Sequence, residues 1–180
     1  MQVVETSVAG VYLVTPDAVA DERGHFARQW DEVTFRRHGL TTRFPQCNSS
    51  FSAEAGTLRG LHYQAAPHAE AKYLRCISGR IFDVVVDVRP GSPTFGRWLG
   101  TELSAANRKW IYVPEGVAHG FLTLEDRTEV LYPVSAPYEP GAERGIRWDD
   151  PAFDIQWPIR PVRMSKKDSR WDDYSPGTHD

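Results

Sequence analysis

The chain has 180 residues, 41% of them hydrophobic and 25% charged, the balance of a folded globular domain rather than a disordered one. Its 24 acidic and 21 basic side chains leave a formal net charge of −3, which removes any broad electrostatic reason to bind nucleic acid or an anionic membrane. No apolar run approaches the roughly 18 residues of a bilayer span, the opening MQVVETSVAGVYLVTP makes a poor signal peptide, and Cys47 and Cys76 stand alone, too few for a disulfide framework or a thiolate zinc site. The expectation is one domain over residues 1–180, soluble and cytoplasmic, with neither nucleic acid nor membrane as partner.

Along the chain, the first regular element is a short helix. Asp31 can cap DEVTFRRHG and Gly39 can end it, with Val33, Phe35 and Arg36 giving a weak periodicity. Strands dominate thereafter. RGLHYQ (residues 59–64) alternates, putting Arg59, Leu61 and Tyr63 on one face and Gly60, His62 and Gln64 on the other. AKYLRCIS (71–78) and RIFDVVVDVR (80–89) flank Ser78-Gly79-Arg80, which predicts a hairpin. In the second of these, Ile81, Asp83, Val85 and Asp87 share one face, and Phe82, Val84, Val86 and Val88 the other. Further strands are expected near 98–103, 109–113, 119–125 and 128–135, separated by Pro90-Gly91-Ser92-Pro93 and Pro114-Glu115-Gly116 turns. A tail rich in Pro, Trp and Asp begins at Asp149 and holds a helical turn near 165–171. Many short strands with Gly/Pro turns and no internal repeat predict an all-β sandwich or barrel, whose mouth or interior can hold one small ligand.

Polar residues inside these strand patterns mark the candidate site. A lone strand histidine such as His62 is ordinarily structural, but Lys72 follows in the next strand, where a half-buried ammonium needs an anionic partner; at an edge it would snorkel to water. PEGVAHGF (114–121) carries P-x-G-x-x-H and resembles the second motif of the cupin superfamily, whose histidine often binds metal. The first cupin motif would need a second histidine where this chain reads His62-Tyr63-Gln64. Only His62 and His119 remain as evident ligands, with Glu70 as a possible third, short of the three ligands a catalytic zinc usually has. A metal-free pocket of His62, Lys72, Arg59, His119 and Tyr132 suits proton abstraction beside a carbonyl: a neutral imidazole takes the proton, a cation holds the enolate, and a phenol on the other side returns a proton. Arginine suits a phosphate.

The ordered segments DERGHF (21–26), QCNSS (46–50), GTLRGLHYQ (56–64), AKYLRC (71–76), FDVVVDVRPGSPTFGRW (82–98), IYVPEGVAHGFLTLED (111–126), EVLYPVSAPYEP (129–140), ERGIRWDDP (143–151) and SKKD (165–168) together resemble the dTDP-4-dehydrorhamnose 3,5-epimerase family. The resemblance implies a cupin-type jelly-roll β-barrel with short flanking helices, no cofactor and no metal. It implies conversion of dTDP-4-dehydro-6-deoxy-D-glucose to dTDP-4-dehydro-L-rhamnose by inversion at C3 and C5, in the supply of deoxysugars. By resemblance, His62 is the base, Asp168 orients it, Tyr132 is the opposing acid and Lys72 lies near O4. Arg59, His119, Gln46, Asn48, Glu143 and Lys167 match substrate contacts. The base stacks between Tyr138 and Phe26, the latter given with Arg23 by the second subunit of a homodimer. From spacing alone, Tyr132 reads as a core or interface aromatic, Asp168 as a solvated carboxylate and Glu143 as a surface residue. His25, His38, His68 and His179 read as surface or turn residues. Two positions depart from the family: Arg28 stands where a glutamate that contacts the nucleotide is usual, and Cys47 replaces the aspartate of QDN. Inversion of one carbon only, a CDP- or GDP-linked substrate, a metal-dependent cupin enzyme, and a non-catalytic sugar-nucleotide binding module are the alternatives.

Overall fold

A computed structural model of the chain, described here for residues 1–175, contains thirteen strands and one short helix. In chain order these are β1 (Gln2–Glu5), β2 (Tyr12–Thr15), β3 (Ala18–Asp21), β4 (Gly24–Ala27), α1 (Glu32–Arg37), β5 (Gln46–Ser52), β6 (Leu58–Gln64), β7 (Lys72–Ser78), β8 (Arg80–Asp87), β9 (Trp98–Ser104), β10 (Trp110–Val113), β11 (Val117–Thr123), β12 (Thr128–Val134) and β13 (Glu143–Gly145). Three-residue 3-10 turns occupy Pro140–Ala142 and Asp168–Arg170. A six-stranded sheet ordered β1-β2-β10-β7-β12-β5 faces a five-stranded sheet ordered β13-β6-β11-β8-β9, and β3 and β4 form a separate two-stranded sheet. Pairing within the sheets is antiparallel throughout. This is the expected all-β jelly roll.

The apolar pattern explains three layers of core. Between the sheets lie Leu74, Cys76, Ile81, Val85, Ile111, Phe121 and Val130. The opposite face of β8 carries Val84 and Val86, which pack with Leu61, Ile146 and Phe153 beneath the tail. That double burial is why β8 reads as almost continuously apolar. Outside the six-stranded sheet, α1 covers Tyr73, Trp110 and Tyr112 with the fully buried Phe35, whose ring meets Tyr73 edge-on at 4.9 Å. Burying that one side chain contributes about 2–3 kcal/mol. Asp31 caps α1 through Thr34 N (2.9 Å), and Gly39, at φ +70°, turns the chain away after His38.

One expected contact is wrong. β7 and β8 are not a hairpin: β7 lies between β10 and β12, while β8 lies between β11 and β9 in the other sheet. Gly79, at φ +73°, is the corner where the chain crosses, and a Cβ there would come within 2.3 Å of Thr128 Oγ1. Both strands carry an apolar inner face, and crossing lets Leu74 and Cys76 meet Ile81 and Val85 in one core. Strands β1 to β5 and β13 are present in addition to those the strand pattern predicts. His25, His38 and His68 are exposed as expected; His179 lies outside the described residues. No helix among those residues is long and apolar enough to cross a membrane.

Candidate active site

The open end of the barrel holds a cavity of about 450 Å³, within the usual range of small-ligand sites. Arg59 and His62 from β6, His119, Gly120 and Phe121 from β11, and Lys72 and Leu74 from β7 line it. Ser50 from β5, Tyr132 from β12, Glu143 from β13, and Tyr138, Ser165, Lys167 and Asp168 from the loops and tail complete the wall.

Strict alternation places Arg59 and His62 on opposite faces of β6, yet both line the cavity. The register explains the correction. His119 pairs with His62 and Phe121 with Arg59, so Gly120 alone opposes Gly60 and Leu61. The extra residue is a β-bulge, which shifts the pleat by one position and re-aims Arg59. The bulge depends on two bare backbones: a Cβ on Gly60 would sit 2.5 Å from Gly120 Cα, and one on Gly120 would sit 2.7 Å from Arg59 O. The Gly60–Leu61 peptide bond within it is cis.

His62 Nε2 lies 2.7 Å from Asp168 Oδ1 across 106 residues of sequence. The tail reaches β6 because Leu58 N donates to Arg163 O (2.8 Å) and Val162 N to Gly56 O (2.9 Å). Ser165 Oγ then accepts from Asp168 N (3.0 Å) and starts the 3-10 turn that carries the carboxylate. Burial pushes the Asp168 carboxyl up, but the hydrogen bond and charge of His62, with Gly60 N and Ser165, outweigh it and hold the group below the usual aspartate range. An ionised carboxylate only accepts, so the shared proton sits on Nε2 and Nδ1 keeps its lone pair. Glu143 Oε1 stands 3.9 Å from that Nδ1. Lys167 Nζ (2.7 Å) and the Tyr138 hydroxyl (3.0 Å) donate to the same carboxylate. Burial raises the Glu143 carboxyl, and these donors with His62 bring it below its ordinary value.

Tyr132 belongs to the six-stranded sheet and His62 to the five-stranded one, so phenol and imidazole reach one cavity from opposite walls. Burial, with the nearby Glu70 charge, keeps the Tyr132 phenol protonated well above neutrality against the opposing pull of Arg59. Lys72 is buried in the same wall, its Nζ donating to His62 O (3.0 Å) and lying 3.4 Å from Glu70 Oε1. Burial lowers its pKa, and the charges of Glu70, Glu143 and Asp83 work against that. Arg59 is held at the rim by Ser52 Oγ (3.2 Å) and Phe51 O (2.9 Å).

Gln46 and Asn48 do not line the cavity. They share a face of β5 with the lining residue Ser50; Asn48 pairs opposite Tyr132, and Gln46 Oε1 accepts from Tyr138 N (3.1 Å). Arg23 and Phe26 lie outside their own chain's cavity, on the exposed β3–β4 hairpin, where Arg23 pairs with Asp21. Arg28 is equally remote, 3.3 Å from Asp31. Asp83 is a site residue absent from the sequence-based candidates. It is fully buried beside Ile81 and Val85, and its Oδ2 lies 2.8 Å from His119 Nε2, making a second imidazole–carboxylate pair. Its signal was an acid placed on the inward face of an apolar strand.

His62 and His119 each give Nε2 to a carboxylate, Glu70 is paired with Lys72, and no group of three or more His, Cys, Asp or Glu among the described residues is arranged to hold an ion.

Fold and constellation together describe a cupin-type barrel with an acid–base site. Comparison with known proteins narrows this. The family model of dTDP-4-dehydrorhamnose 3,5-epimerase matches residues 5–175. The chain is 46% identical over 164 residues to the dTDP-4-dehydrorhamnose 3,5-epimerase of Sinorhizobium fredii, covering 91% of this chain and 84% of that protein. It superposes with TM-score 0.92 on the crystal structure of dTDP-4-dehydrorhamnose 3,5-epimerase from Bacillus anthracis with TDP and PPi bound, at 40% identity over 96% of this chain and 99% of that one. It also resembles dTDP-6-deoxy-D-glucose-3,5-epimerase from Legionella pneumophila in complex with dTDP-4-keto-L-rhamnose (TM-score 0.86, 37% identity, 93% and 89% covered). The chain belongs to the dTDP-4-dehydrorhamnose 3,5-epimerase family.

Proposed function

We propose that this protein inverts C3 and C5 of dTDP-4-dehydro-6-deoxy-D-glucose, giving dTDP-4-dehydro-L-rhamnose. Protons on carbons flanking a ketone are acidic because the C4 oxygen takes up the charge as an enolate. His62 Nδ1 removes the proton, and Asp168 stabilises the imidazolium that results. The buried Lys72 ammonium faces the developing oxyanion, and a charge removed from water acts most strongly there. Tyr132 delivers a proton to the opposite face, and the stereocentre inverts. Arg59 and Lys167 suit the diphosphate, His119, oriented by Asp83, contacts the sugar, and Tyr138 at the mouth offers a stacking face to the base, with Gln46 and Asn48 beside it.

The observation that carries this reading is the placement of the His62–Asp168 pair and the Tyr132 phenol on opposite sheets around one cavity. The chain acts as one epimerase domain in the cytoplasm. Its β3–β4 hairpin supports a homodimer: among the described residues it pairs only with itself, and it leaves Val19 and Phe26 each 72% exposed, whereas a lone two-stranded ribbon is marginal in water. A second copy of this chain, taking Arg23 and Phe26 into its cavity, satisfies both. The test is incubation with the 4-keto sugar nucleotide in deuterated water, followed by proton NMR. Deuterium at C3 and C5 with L-configured product is the expected result. Label at one carbon reduces the activity to a single inversion, and label at neither refutes the function.

A further inference from the structure

Gly145 stands directly opposite His62 in the β13–β6 pair. It has no room for a side chain, because a Cβ there would lie 2.0 Å from Cε2 and 2.3 Å from Nε1 of Trp171. The indole therefore rests on the bare backbone of Gly145. From there it meets the His62 ring edge-on, with centroids 6.3 Å apart and planes inclined at 64°. Trp171 directly follows the 3-10 turn of Asp168, three residues on, so one turn of chain supplies both the carboxylate at Nε2 and the aromatic wall beside the imidazole. The indole N–H is buried and has no hydrogen-bond partner among the described residues, so the ring is seated by shape rather than by a polar contact. Arg147 secures the turn from outside, donating to Trp171 O (3.4 Å) and pairing with Asp149 and Asp173, each at 2.6 Å.

We propose that Trp171 is a positioning residue: packed on Gly145, it fixes the plane of the His62 imidazole so that Nε2 stays on Asp168 while Nδ1 faces the cavity. The inference rests on the reading of His62 as the base. A histidine's outer torsion is broad, and one hydrogen bond fixes an atom but leaves the ring free to swing about it. The indole wall removes that freedom. Misaiming a base by a fraction of an ångström costs rate without changing ligand affinity.

Trp171→Ala, Trp171→Phe, Gly145→Ala and the double variant Gly145→Ala/Trp171→Ala test this through kcat, KM and the 15N NMR tautomer of His62. Trp171→Ala is expected to lower kcat about tenfold with KM within about twofold, and Trp171→Phe to recover most of the loss. Gly145→Ala, whose new Cβ evicts the indole, is expected to reproduce the loss. The double variant is expected to be no worse than Trp171→Ala alone, as for two changes acting through one contact. The neutral imidazole is expected to carry its proton on Nε2 in the wild type and to become a tautomer mixture in Trp171→Ala. A raised KM with unchanged kcat would mean that Trp171 only docks the tail that bears Lys167, and would overturn the proposal; losses that multiply in the double variant would do the same. If Trp171→Ala does not fold, Gly145→Ala alone decides, since unchanged kcat and tautomer there defeat the idea. The NMR arm needs no substrate, so failure of the wild type to epimerise rejects the functional reading while the tautomer still judges the positioning.

Discussion

Asp168→Asn keeps the shape of the side chain and removes its charge. In the native site the two carboxylate oxygens have separate tasks: Oδ1 lies 2.7 Å from His62 Nε2, and Oδ2 accepts from Gly60 N at 3.4 Å. An amide has one oxygen. Turned to the Gly60 N–H, it presents NH2 to Nε2, which drives the imidazole proton onto Nδ1, the atom that must be free to act as base. Turned the other way, it loses the charge that stabilises the imidazolium. A hydrogen bond to a charged group contributes about 1.5–3 kcal/mol, or roughly 10- to 150-fold in rate. The tautomer reversal adds to this, as in the serine-protease triad, where the same substitution costs about 10⁴. The expected fall in kcat is about 10³-fold, read as the rate of deuterium wash-in at C3 and C5. A variant within about threefold of wild type would refute the assignment of Asp168 as the partner of the base.

Three further outcomes follow from other parts of the molecule. Gly120→Ala drives a Cβ to 2.7 Å from Arg59 O and 3.0 Å from Gly60 Cα, backbone atoms that cannot step aside; a loss of about 1–3 kcal/mol in urea unfolding is expected, and an unchanged midpoint would contradict the bulge. Asp87 is fully buried; burial raises its carboxyl, but bonds from Arg89, Ser92 and Thr94 pull it down to about 2. A carboxyl depressed on folding contributes stability above its unfolded value of 3.8 and loses it as pH falls through about 2. Asp87→Asn is therefore expected to cost about 2 kcal/mol at pH 7 and almost nothing near pH 2, whereas a pH-independent loss would deny the linkage. Finally, co-expressing a His62→Asn chain with an Arg23→Ala/Phe26→Ala chain should restore about a quarter of wild-type activity, because half the dimers are mixed and each mixed dimer rebuilds one complete site. No restoration would mean that the hairpin serves its own chain.

Periodicity made much of the scaffold legible. The two-sided apolarity of RIFDVVVD assigned both faces of β8, and Asp31 and Gly39 bounded α1 as their capping chemistry requires. Other elements carried no such signal. QCNSSFS has neither apolar alternation nor a turn marker, so β5 was silent although it pairs along the whole of β12. β13 is three residues long and exists only because β6 offers it an edge. Gly79 reads as a hairpin turn by local rules, and only the shared core of β7 and β8 shows it to be a corner between sheets. In the site, His62, Lys72 and His119 stood out as polar residues on core strands. The phase of Arg59 depended on a bulge that two glycines permit but do not announce. Asp168 and Glu143 looked like surface acids; the resemblance to known epimerases, not local pattern, brought Asp168 to His62, and only the fold shows Glu143 beside the same ring. Asp83 showed itself as an acid on the inward face of an apolar strand, but its partner His119, like the role of Trp171, was readable only once neighbours in space were known.

The central claim is that base and acid attack opposite faces of one sugar ring, and Tyr132→Phe isolates the two halves. With the phenol gone, His62 can still remove a proton and return a solvent deuteron to the face it came from. The account predicts that Tyr132→Phe incorporates deuterium beside the ketone in recovered substrate of unchanged configuration, with inverted product reduced by about 10²-fold or more. Inversion at the wild-type rate would show that the opposing proton comes from elsewhere.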